Sequence, residues 1–154
     1  MTSRPLDRLD KRLLAELQVD ARLSFAELGR RVGLSTPAAA ERVRKLEDQG
    51  VLRGYRAELD SHSIGYPVTA FIRLYVPAES YSRVLSVIEG MPEVREAHHV
   101  TGEASFVLNV VAPSLIALET LISAFDSFGK TETSIVLSTR LATRGLPINP
   151  DQVV

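Results

Sequence analysis

The stretch that most limits what this chain can become is Ser24–Gly50, SFAELGRRVGLSTPAAAERVRKLEDQG. Phe25, Leu28 and Val32 recur at helical spacing, Ser24 is placed to cap the start, and Glu27 three residues on completes a capping box. Gly33 ends this first helix. After Leu34, Ser35 supplies a second N-cap, Pro37 falls in the first turn where a missing N–H costs nothing, and Gly50 gives the C-terminal stop. On the second helix Ala39, Val43 and Leu46 share one face. Ala38, Glu41, Lys45 and Asp48 lie opposite, with Arg42 and Arg44 on the flanks. Two short helices around a glycine turn, the second packing on one side and free on the other, is the arrangement that lays a helix in a DNA major groove.

The rest of the chain frames this pair. Leu6, Leu9, Leu13, Leu14 and Leu17 follow a 3.6-residue period and Asp7 with Asp10 makes a capping pair, so a further helix runs to about Asp20. Three helices can bury their stripes on one another as a trihelical unit, and Val51–Leu59 reads as a wing or connecting strand. A polar segment closed by Gly65 forms the hinge at 61–65. Beyond it the period changes. Val68–Val76 alternates, Tyr81, Val84, Leu85 and Ile88 have helical spacing, Val94–Val100 and Phe106–Val111 are strand-like, Leu115, Leu118, Ile122 and Phe125 mark a second helix, and a last strand runs from about Thr131 to Leu141. The order βαββαβ predicts an antiparallel ferredoxin-like sheet with both helices on one face. The fold class is α+β: a helix-turn-helix domain over 1–60, a ferredoxin-like domain over 66–143, and a tail, 144–154, rich in turn formers. The other sheet face keeps Phe71 and Tyr75, with either Val107 and Val111 or Phe106 and Val110, so a dimer with sheets facing is expected.

Charge follows the same division. The chain of 154 residues has a net charge of −1, which argues against a protein that coats nucleic acid indiscriminately. Residues 1–60 nevertheless carry net +2 and residues 61–154 net −3, and within Arg30–Arg56 seven basic side chains face three acidic ones. No cysteine is available for disulfides or thiol chemistry, and no apolar run of signal-peptide or membrane length occurs, so a soluble cytoplasmic protein is expected. His98 and His99 are neighbours on a strand and point to opposite faces, and His62 is remote, so no metal site is expected. One of the pair is expected to pack in the dimer interface. No Ser/His/Asp set, phosphate loop or paired-carboxylate motif stands out, and the chain does not read as an enzyme.

LDRLDKRLLAELQVDAR, LGRRVGLS followed by ERVRKLEDQGVLRGY, HHVTGEASFVLNV and TETSIVLS together resemble the Lrp/AsnC (feast/famine) family of transcriptional regulators across essentially the whole chain. The resemblance implies a DNA-binding domain, a C-terminal domain that forms dimers and then higher assemblies, commonly octamers, and an amino-acid effector held between subunits, with no cofactor. Many members follow the loop glycine with Asp and, a little later, another Asp and Tyr. This chain has Gly102-Glu103-Ala104-Ser105-Phe106, and Ser105 is similar to the asparagine-responsive branch.

The candidate DNA contacts are Arg31, Ser35, Thr36, Ala38, Ala39, Arg42, Arg44, Lys45 and Arg53. Arginine and lysine serve phosphates and guanine edges, and the hydroxyls sit at a helix N-terminus. The alternative is a solvated helix face with Arg44–Asp48 and Glu41–Lys45 pairs. Few base-reading groups are present, so modest base specificity supplemented by DNA bending and wrapping is expected. The candidate effector residues are Val100, Thr101, Gly102, Glu103, Ser105, Thr133 and Ser134. Backbone N–H groups at Thr101-Gly102 would take a carboxylate, Glu103 an amine, and Ser105, Thr133 and Ser134 would add hydrogen bonds. The alternative for this loop is an ordinary hairpin turn. A second functional reading keeps the amino-acid-sensing oligomer and makes its DNA binding mainly architectural and weakly specific.

Overall fold

The computed structural model describes residues 5–150, and the chain divides into two compact units. One runs to Ala57 and takes the chain up again from Ala142; the other is Glu58–Leu141.

The first unit holds three helices: α1 (Arg8–Val19), α2 (Phe25–Val32) and α3 (Thr36–Asp48). Each begins where its cap dictates. The Asp10 amide donates to the Asp7 carboxylate at 2.9 Å and the Asp7 amide to the Asp10 carboxylate at 3.1 Å, a reciprocal box that satisfies two otherwise orphaned donors. Ser24 accepts from the Glu27 amide and Ser35 from that of Ala38, and Gly33 turns the chain between α2 and α3 in the left-handed region at φ 79°. Leu13, Leu17, Leu28, Val32 and Val43 form the shared core. Residues 51–59 contain no strand, unlike the wing or connecting strand expected there, because no neighbouring strand in the unit offers them a ladder.

In the second unit β1 (Val68–Tyr75), α4 (Tyr81–Glu89), β2 (Val94–His99), β3 (Phe106–Ala112), α5 (Leu115–Ser123) and β4 (Lys130–Ile135) build one antiparallel sheet in the order β2-β3-β1-β4. A short 3₁₀ turn, Ala78–Ser80, leads into α4. Ile72, Leu74, Leu108 and Val110 on the sheet pack with Val84, Leu118 and Phe125, and all seven are nearly or fully inaccessible. The last strand stops at Ile135 rather than near Leu141. Ile135 is opposite Ala70, one further bond joins the Val136 amide to Thr69, and β1 begins at Val68, so nothing remains to pair with.

Register decides which residues share the uncovered sheet face. Phe71 is opposite Asn109 and Ser134, Arg73 opposite Val107 and Glu132, and Thr69 opposite Val111. Val107 and Val111 therefore lie on the side of Phe71, whereas Phe106 and Val110 are in the core. Glu132 accepts from the Tyr75 hydroxyl at 2.8 Å and from Arg73 at 3.2 Å on this face.

Candidate nucleic-acid interface and effector loop

Burial on α3 separates support from surface. Ala39, Val43 and Leu46 are fully or almost fully buried and Ala40 nearly so; Thr36, Pro37, Glu41, Arg44, Lys45 and Asp48 are exposed. Ala39, a candidate contact by position, is a core residue at 0 % exposure and has no route to a ligand. Its methyl fits against the core on the face opposite Glu41, so its value is in letting α3 approach the other helices closely.

Arg42 is not a free cation either. Its Nη1 lies 2.6 Å from Asp7 Oδ2 and 2.7 Å from Asp10 Oδ1, tying α3 to the start of α1. Arg42 is raised above its usual pKa, first by its hydrogen bond to Asp7 and then by that to Asp10. Arg31 is similarly committed, to Glu27 at 2.8 Å and to Glu16 at 2.9 Å, and these hydrogen bonds raise its pKa further. Hydrogen bonds from Arg30 and then Arg31 hold Glu27 down at about 2. Of the candidate cations, those left for phosphate are Arg44 and Arg53, exposed and with no ion pair among the described residues, and Lys45, whose 3.1 Å pair with Glu41 is so exposed that a phosphate competes with it readily. Ser35 Oγ serves as cap, Thr36 is exposed on the first turn, and Ala38 is half-buried beside them. The expected Glu41–Lys45 pair is present.

Two supporting residues give no local signal in the sequence. Arg12 on α1 donates to the carbonyls of Arg31 at 2.9 Å and Val32 at 3.3 Å, capping the end of α2 where the turn begins. Gly29 lies where a Cβ would stand 2.6 Å from the Leu34 carbonyl oxygen, and its own carbonyl accepts from the Leu34 amide at 2.8 Å. The turn thus closes against bare backbone.

In the second unit Val100 and Ser105 close the loop, the Val100 amide donating to the Ser105 carbonyl at 3.1 Å, and the Ser105 amide reaches Leu74 at 2.8 Å. Thr101, Gly102 and Glu103 are exposed between them, with Gly102 at φ 108°, a backbone that only glycine adopts freely, and no atom near where a Cβ would be. The Glu103 carboxylate has no hydrogen-bond or ion-pair partner among the described residues and is near enough to Tyr75 to help raise that phenol's pKa, a smaller effect than the hydrogen bond to Glu132. Ser105 departs from the expected role. It is buried, its hydroxyl donates to the Val76 carbonyl at 2.8 Å and accepts from the Val76 amide at 3.3 Å, so it staples the end of β1 instead of facing solvent. Thr133 and Ser134 cannot act together: Thr133 pairs with the core residue Ile72 and Ser134 with Phe71, putting them on opposite sheet faces. His98 is exposed, 3.4 Å from Glu96, while the His99 ring meets Tyr81 edge-on at 5.1 Å between centroids and lies tilted against Phe106 at 5.2 Å.

Both units match known families. Residues 6–47 fit the AsnC-type helix-turn-helix domain and residues 69–146 the Lrp/AsnC ligand binding domain. The chain belongs to the Lrp/AsnC family of transcriptional regulators. It is 35% identical to the HTH-type transcriptional regulator LrpC of Bacillus subtilis over 86% of this chain and 92% of that one, and 37% identical to a leucine-responsive regulatory protein of Rhizobium meliloti over 90% of each. Among solved structures, that of B. subtilis LrpC superposes with a TM-score of 0.86 at 34% identity, covering 91% of this chain and all of that chain. A Neisseria meningitidis transcriptional regulator in complex with L-Met gives 0.88 at 29% identity, covering 94% and 97%. The Lrp/AsnC chain is thus a transcriptional regulator, not an enzyme, with a DNA-binding unit and a small-molecule-binding unit. No helix among the described residues is long and apolar enough to cross a membrane.

Proposed function

We propose that this Lrp/AsnC regulator binds double-stranded DNA through the exposed face of α3 and responds to an amino acid held against the 100–104 loop between subunits. The observation that carries the reading is the sorting of cations on the first unit. Arg42 and Arg31 are consumed by carboxylates of their own unit, while Arg44 stands free on α3 and Arg53 beyond it. Phosphate contacts come from Arg44, Lys45 and Arg53, with Thr36 at the helix N-terminus. Since α3 offers only Arg44 and Lys45 as long base-reading donors, sequence selectivity is modest and is supplemented by bending DNA over several subunits.

The amino-acid class is supported by the exposed, unpaired Glu103 for an ammonium, by the open backbone at Thr101-Gly102 for a carboxylate, and by the L-Met complex of the Neisseria relative. Ser105 in this loop is similar to the asparagine-responsive branch. Subunits pair through the uncovered sheet face, where Phe71 is 41% exposed beside Val107, and dimers assemble further, to an octamer in our reading.

A thermal-shift panel against the twenty amino acids tests the sensor. A ligand at a hundred times its Kd adds about 2.7 kcal/mol per site, enough to move a small domain's midpoint by several degrees. A hit that Glu103→Gln removes supports the loop; a hit unaffected by it moves the site elsewhere; no hit at all rejects an amino-acid effector.

A further inference from the structure

The chain passes between its two units twice, once near Ala57 and again after Leu141, and the second crossing ends on α1. There the Gln18 side chain holds the Leu146 peptide group at both of its polar atoms. Nε2 donates to the Leu146 carbonyl at 3.1 Å and the Leu146 amide donates to Oε1 at 2.5 Å, the donor–acceptor match of a strand rung made by a carboxamide. The approach is close. A Cβ on Gly145 would lie 2.8 Å from Gln18 Oε1 and 3.3 Å from its Cβ, so glycine lets the backbone come this near. Pro147 and Pro150 fix their own φ and reduce the freedom lost when the segment settles.

Beneath this segment is an apolar groove of about 470 Å³. Leu14, Leu17 and Gln18 of α1 form one wall, Leu52 and Tyr55 the other, and the half-buried Ile148 closes it. Leu14, on this wall, is only 8 % exposed, and Leu146 and Ile148 of the Gly-Leu-Pro-Ile segment line the same groove.

We propose that residues 145–148 are a strap that docks in cis on the helix-turn-helix unit through Gln18, beside the apolar groove of α1, giving the ligand-binding unit a second covalent hold on the DNA-binding unit. α1 is the element gripped, and α1 also carries Asp7 and Asp10, which hold Arg42 of α3. A pull on the chain beyond β4 therefore reaches the DNA-facing helix through α1 as well as through the hinge. The docking stands on geometry alone; its regulatory consequence rests on the reading of α3 as the DNA contact.

Hydrogen–deuterium exchange on the full-length protein, without DNA or amino acid, tests the docking. Gln18→Ala, Gly145→Val and a chain ending at Arg144 are each expected to raise exchange of amides in the second half of α1 and in 51–56 several-fold while leaving the sheet unit unchanged. Adding a synthetic peptide of residues 143–150 to the shortened chain should restore protection. Unchanged exchange in all three variants overturns the strap, and failure of the peptide to restore protection at millimolar concentration overturns its autonomous docking. The coupling is read separately, as the affinity of Gln18→Ala for a fixed DNA duplex at fixed salt. A several-fold loss supports it, and full affinity despite raised exchange overturns it. The reading of α3 is judged on the same duplex with Arg44→Ala, so the two can fail independently.

Discussion

Arg42 reaches back from α3 to Asp10 on α1, Nη1 to Oδ1 2.7 Å, and the same nitrogen meets Asp7, the N-cap of that helix, at 2.6 Å. The residue that chain position offers as a DNA contact is thereby the strut that sets how α3 stands on the unit. Of its two partners Asp10 is the sheltered one, with only 12% of its side chain exposed against 34% for Asp7. Removing the guanidinium leaves a buried carboxylate without its cation, the costly way to break such a pair. Arg42→Ala is expected to destabilise the first unit by about 1–3 kcal/mol, less than a fully buried pair would lose, because Arg42 itself is partly solvated. Arg42→Lys should recover part of this, having charge but not the planar fork. Thermal melting of both variants, alongside an Arg44→Ala variant that weakens DNA binding without lowering the midpoint, checks the division of labour. Equal melting of Arg42→Ala and wild type would show the strut to be idle.

Acid weakens the same unit in a defined window. Burial pushes the Asp7 carboxyl up, but the Asp10 amide and Arg42 together outweigh it, and its pKa ends below the ordinary 3.8. Glu27 is drawn from 4.5 to about 2 by Arg30 first and then Arg31. Both are depressed carboxylates, so their stabilisation is complete above the unfolded values and is lost as pH falls through the folded ones. The melting midpoint should owe no slope to these groups between pH 7 and about 5, and should drop from about pH 4.5 towards 2. A double variant, Asp7→Asn with Glu27→Gln, is expected to start lower at pH 7 and fall less steeply in acid. Salt should diminish the Glu27 share, whose partners are largely solvated, more than the Asp7 share. An acid limb as steep in the variant as in wild type would assign it to other carboxylates.

Gly29→Ala tests the closure of the turn. A methyl group there would meet the Leu34 carbonyl oxygen at 2.6 Å and the Ser35 carbonyl oxygen at 3.3 Å, both backbone and neither able to swing aside. The helix pair must open, with an expected loss of about 1–3 kcal/mol, although alanine is the better helix former by about 1 kcal/mol. Sign alone decides this one. A stabilised variant by denaturant melting would mean that the α2–α3 contact relaxes freely.

These residues also show where sequence reading reaches its end. The helices are legible because their signals are local: Asp7 with Asp10, Ser24 and Ser35 lie within three residues of the amides they cap, and the apolar stripes repeat within a turn or two. The order of strands follows from period and turn residues, but their lengths do not. β4 ends where β1 runs out, and 51–59 fails to be a strand for want of a neighbour, both facts about a partner elsewhere in the chain. The candidate site divides in the same way. Arg42 is separated from Asp10 by 32 residues and from Asp7 by 35, and neither aspartate advertises a second task beyond its cap. Ser105 reads as a loop hydroxyl because polar residues cluster there, yet its oxygen is already used up on Val76. Exposure, not identity, separates Glu103 from Ser105.

That separation yields the last prediction. Ser105→Ala deletes a buried hydroxyl that both donates to and accepts from the Val76 peptide, leaving groups that water does not reach. The expected cost is about 1–3 kcal/mol of stability in the second unit, visible as a lower melting transition, with amino-acid selectivity unchanged once the protein is folded. Glu103→Gln is expected to do the opposite: its carboxylate is exposed and makes no ion pair, so melting without ligand should not move, while affinity for an amino acid bearing an ammonium falls by tenfold or more, about 1.4 kcal/mol. Calorimetry with the amino acid that shifts the wild-type midpoint reads both arms. If Ser105→Ala changes selectivity at unaltered stability, the hydroxyl faces the ligand after all and the Val76 staple must open when the effector binds.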